Sequence, residues 1–118
     1  MKKFNLAAGV CLILAAVGAH AHAHLKASNP KQGAVVTEMP ASISLTFSES
    51  ARITALSIQK DAEPKKPLAA PTTSGVEIDV KVPALSPGAY TLSWRVVSTD
   101  DGHIMSGELH FKLAPPQH

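Results

Sequence analysis

Polar and apolar residues alternate with a period of two along most of this chain, and helical periodicity is weak throughout. SISLTFSE directs Ile43, Leu45 and Phe47 to one side and Ser42, Ser44, Thr46 and Ser48 to the other. VEIDVKV sets Val76, Ile78, Val80 and Val82 against Glu77, Asp79 and Lys81. AYTLSWRVV gathers Tyr90, Leu92, Trp94 and Val96 on one face, and ELHFKL does the same for Leu109, Phe111 and Leu113. Strict alternation of this kind predicts strands buried on one face. HLKAS reads as a short first strand. RITALSIQ (Arg52–Gln59) begins in phase and slips between Ala55 and Leu56, which predicts a bulge. Turn signals lie between the strands at Asn29-Pro30, Met39-Pro40, Ser86-Pro87-Gly88 and Asp101-Gly102. KDAEPKKPLAAPTTSG reads as a long solvated loop. The expected fold is all-β, a Greek-key β-sandwich or barrel of about seven strands, cupredoxin-like or Ig-like.

The first 21 residues break this pattern. Lys2 and Lys3 precede the apolar stretch Leu6–Gly18, and Ala19 and Ala21 form a small-residue pair. That arrangement predicts a secretory signal over residues 1–21 and a β domain over 22–118. About thirteen apolar residues fall short of the ~20 needed to span a bilayer. Cleavage would leave 97 of the 118 residues. It would also remove two lysines, so nine basic residues would face nine acidic ones. The apparent positive charge belongs to the leader, which argues against nucleic acid as a partner. Cys11, the chain's one cysteine, leaves as well, so the exported domain would have neither a disulfide nor a thiolate ligand.

Two stretches carry candidate chemistry. HAHAH (His20–His24) follows the leader, and cleavage after Ala21 makes His22 the first residue. A terminal histidine offers its α-amine, which loses its proton near neutral pH, together with its ring Nδ1. STDDGHIMSG (Ser98–Gly107) holds Asp101 and His103 one residue apart, so in extended backbone both face the same way. Asp100 is the neighbouring alternative to Asp101. His24 raises a competing arrangement, because His22-Ala23-His24 matches a chelate of terminal amine, two deprotonated amides and a third-position histidine.

HAHLKASNPKQGAVV, LTFSE and SPGAYTLSWRVVSTDDGHIMSGELHFKL, in this order, resemble the CopC family of periplasmic copper-binding proteins. The resemblance spans nearly all of residues 22–113. It implies a cupredoxin-shaped barrel in the periplasm with a site for one Cu(II) ion formed by His22, Asp101 and His103. It also implies a role in copper homeostasis or resistance, with a CopD-type inner-membrane copper transporter as partner. Nitrogen and carboxylate donors suit tetragonal Cu(II). The methionine-rich Cu(I) site of some family members has no counterpart, since Met39 and Met105 stand apart. The expected protein is a monomeric carrier or buffer, not an enzyme. Two readings compete with it: a small copper monooxygenase, which also uses an N-terminal histidine, and a metal-free Ig-like binding module. Of the remaining candidates, Trp94 reads as core beneath the site and His110 as an exposed strand residue, while Glu49 is left undecided.

Overall fold

The structure, a computed structural model, describes residues 24–115. Those residues form seven strands: β1 (Leu25–Asn29), β2 (Ala34–Val36), β3 (Ser42–Lys60), β4 (Lys66–Pro67), β5 (Ser74–Lys81), β6 (Gly88–Ser98) and β7 (Ile104–Leu113). No helix occurs among them. Pairing follows the order β1-β3-β6-β7-β2, with β4 and β5 also joined to β3. All pairs are antiparallel except β2 with β7. Neighbours that are not consecutive in sequence give a curled half-barrel, the all-β fold of seven strands that was expected.

β3 explains the curl. SISLTFSE and RITALSIQ, separate in the sequence reading, form one continuous strand of 19 residues. No glycine, proline or asparagine stands between Phe47 and Ile53 to end it. Its first half pairs with β1 and β5, and its second half with β6 and β4. One strand thus belongs to two layers. The expected bulge is present, with the β3–β6 register shifting between Ile53 and Ala55, one step earlier than the alternation suggested.

Between the layers lies the core. Ile43, Leu45 and Phe47 of β3 and Ile78 and Val80 of β5 meet Leu92, Trp94 and Val96 of β6 and Leu109 and Phe111 of β7. The Phe47 and Trp94 rings meet nearly at right angles, with centroids 6.1 Å apart and planes at 82°. Burying aromatic and branched side chains contributes about 1.5–3 kcal/mol each, so this cluster holds the fold without a covalent link.

Two expectations change in detail. Val76 is 47% exposed, although the alternation grouped it with Ile78 and Val80. It lies where the β3–β5 register shifts, between the pairs Thr46–Glu77 and Ala51–Gly75, so no regular partner covers it. The long connection after Lys60 is not wholly a loop, because Lys66 and Pro67 pair with Ile58 and Ser57 as β4.

Candidate metal centre

Asp101 and His103 lie in the hairpin that joins β6 to β7. The turn closes through two backbone bonds: Ser98 N–H donates to the His103 carbonyl at 2.9 Å, and Gly102 N–H donates to the Ser98 carbonyl at 2.9 Å. Gly102 has φ +74°, a left-handed conformation that costs a residue with a Cβ about 1–2 kcal/mol. Glycine there allows the chain to reverse tightly between the two candidate ligands.

Within this turn Asp101 clasps His103 twice. One carboxylate oxygen accepts the His103 backbone N–H at 3.1 Å, and the other lies 3.0 Å from ring Nδ1. Both side chains remain substantially open to solvent, 42% and 56% exposed. The His103 side chain is the main cause of a depressed Asp101 pKa, followed by the His103 backbone N–H; together they hold it at about 2 instead of 3.8. Slight desolvation opposes this, and the nearby Ser98 hydroxyl assists weakly. That hydroxyl is buried and meets no full hydrogen-bond partner among the described residues. Asp101 is therefore ionised at any physiological pH.

The carboxylate on Nδ1 orients the ring. A metal on Nε2 would lie on the far side of the ring from that carboxylate, so one ion takes both side chains only when the Nδ1 contact opens. Once released from the ring, the carboxylate can offer an oxygen to the same cation. The pair offers one imidazole nitrogen and one carboxylate oxygen at a solvent-facing turn. Asp100 makes neither contact.

β3 connects this turn to the start of β1. Ser50 carbonyl accepts Thr99 N–H at 3.0 Å, which anchors the turn. Two residues earlier, Ser48 N–H donates to the His24 carbonyl at 2.8 Å, and Ser48 Oγ accepts His24 N–H at 3.1 Å. The segment Ser48–Ser50, with Glu49 between, thus ties both the Asp101–His103 turn and the first described residue to one end of the sheet. His22 lies outside the described residues. Among the described residues, no group of three or more His, Cys, Asp or Glu side chains converges to hold a metal.

His24 and Leu25 border a groove of about 690 Å³ that Trp94, Met105 and Glu108 also line. Trp94 forms its floor, 6% exposed and packed against Gly107 on β7. His110 is exposed, its ring between Thr91 Oγ1 at 3.1 Å and Glu108 at 3.3 Å, as a strand residue facing outward should be. Sequence reasoning missed Ser48 as a residue of this end of the molecule. Its outward place in the alternation was visible; its partner 24 residues away was not.

Comparison with known proteins agrees with this architecture. The chain is 39% identical over 100 residues to protein YobA of Escherichia coli strain K12, covering 79% of each chain. CopC from Methylosinus trichosporium OB3b superposes with a TM-score of 0.64 at 24% identity, over 82% of this chain and 98% of that one. PcoC, a methionine-rich copper resistance protein from Escherichia coli, gives a TM-score of 0.56 at 30% identity, over 79% and 99%. A CopC domain matches residues 25–114, nearly all of the described fold, and on that match this chain belongs to the CopC family.

Proposed function

We propose that this chain is a periplasmic Cu(II) carrier or buffer that holds one ion through the amine and ring of His22 together with Asp101 and His103. Family membership supports the copper-related role. The observation that carries the site assignment is the turn itself: it holds an ionised carboxylate and an imidazole side by side at the end of the sheet where β1 begins. Three nitrogens and one carboxylate oxygen fill the equatorial plane that Cu(II) prefers, and Cu(II) stands highest in the divalent affinity order. A filled plane suits holding and transfer, not oxygen activation, so the function is not enzymatic. Transfer proceeds to or from an inner-membrane transporter of the CopD type. Only Met39 and Met105 remain after the leader, too few soft ligands for a separate Cu(I) site.

The test compares a chain that begins at His22 with one carrying an extra residue before it. Cu(II) titration of the first quenches Trp94 emission with a one-to-one endpoint, since Trp94 and His24 border the same groove. The extended chain, whose His22 nitrogen is a peptide nitrogen, binds far more weakly. Equal binding by both would refute the chelating terminus. Mass spectrometry of the exported protein checks that His22 comes first.

A further inference from the structure

Ser48 touches two atoms of His24 with one hydroxyl. Its Oγ accepts His24 N–H at 3.1 Å and lies 3.2 Å from His24 Nδ1. Those are two of the four donors in the rival copper chelate available to a chain that starts His22-Ala23-His24. That chelate takes the His22 amine, the Ala23 and His24 amide nitrogens and His24 Nδ1. Each amide must give its proton to solvent as its copper–nitrogen bond forms. The resulting plane holds four nitrogens and leaves Asp101 and His103 idle.

Both arrangements need the His22 amine, so one ion cannot occupy both. We propose that Ser48 is a specificity-determining residue that withholds His24 from copper and so directs Cu(II) to Asp101 and His103. The inference rests on the site assignment above. Forming the rival chelate requires the His24 amide to release Ser48 Oγ and its ring to swing away from the same hydroxyl. Ser48 also donates its backbone N–H to the His24 carbonyl at 2.8 Å, which prevents the segment from sliding clear with the bonds intact. The hydroxyl lies on the exposed face of β3, where the alternation puts a polar residue with no packing duty.

The experiment uses the chain beginning at His22, which retains every described residue, loaded with one equivalent of Cu(II). Electron paramagnetic resonance and visible absorption distinguish a four-nitrogen plane from a mixed nitrogen–oxygen one. The wild-type spectrum should be of the mixed kind and should change on His103→Phe. Ser48→Ala should raise the four-nitrogen component about tenfold, the weight of one or two net hydrogen bonds, and its spectrum should respond less to His103→Phe. Ser48→Thr, which keeps the hydroxyl, should restore the wild-type spectrum. So should adding His24→Ala to Ser48→Ala, which separates release of His24 from loss of structure. A wild-type spectrum indifferent to His103→Phe would overturn the site assignment itself. A wild-type spectrum that depends on His103, with Ser48→Ala unchanged from it, would overturn the role of Ser48 alone.

Discussion

Gly107→Ala tests how β7 supports the groove beside His24. Trp94 and Gly107 are paired across β6 and β7. A Cβ at Gly107 would lie 2.7 Å from Trp94 Cζ2 and 2.8 Å from both Cε2 and Nε1. Carbon atoms in good contact stand about 3.5–4.0 Å apart, so the ring must yield by nearly an ångström. Retreat is restricted, because Phe47, fully buried, packs against the indole at a near-perpendicular angle. Overpacking of this kind costs roughly 1–3 kcal/mol. At ~2 kcal/mol, a domain of this size melts about 8–16 °C lower. Far-UV circular dichroism gives the melting temperature, and a red shift of Trp94 emission reports displacement of the ring. Gly107→Val should be worse than Gly107→Ala. A melting temperature within about 2 °C of wild type, with unchanged emission, would refute the reasoning by showing that the indole moves aside at no cost.

Other outcomes follow from the turn. The Asp101 carboxyl, followed by carbon NMR in the metal-free protein, should titrate near 2 and move back toward 3.8 in His103→Phe. The folded value lies below the unfolded one, so the stabilisation this group supplies is present above about pH 4 and fades as pH falls toward 2. Its share is small because the pair is solvated. Gly102→Ala forces a Cβ into φ +74°; it should lower stability by about 1 kcal/mol in thermal unfolding and raise the Asp101 midpoint by loosening the clasp. Asp101→Asn should weaken Cu(II) binding in the Trp94 titration, since it removes the anionic oxygen donor of the proposed site.

The sequence disclosed most of what depends on near neighbours. Period-two alternation placed Leu45, Phe47, Leu92, Trp94, Leu109 and Phe111 in the core, where they are found. Asp101 and His103 were expected to face one way from extended backbone; they meet instead across a turn, where Gly102 is left-handed. Readings failed where a residue's surroundings come from another strand. Val76 alternates correctly but faces a register shift in β3. β2 and β4, three and two residues long, are too short to show a period. The need for glycine at position 107 is set by an indole on the adjacent strand, and the contacts of Ser48 by His24, just before β1. Neither leaves a local trace.

Four of the six other strands are hydrogen-bonded to β3. A chain threaded on one spine has no seam along which to come apart. The end that carries the Asp101–His103 turn and the end near Lys60 share the β3–β6 ladder, broken only by the bulge between Ile53 and Ala55. Under the proposed function, an ion held at one end would meet this continuous sheet and would leave by competition for its ligands, not by the domain folding open.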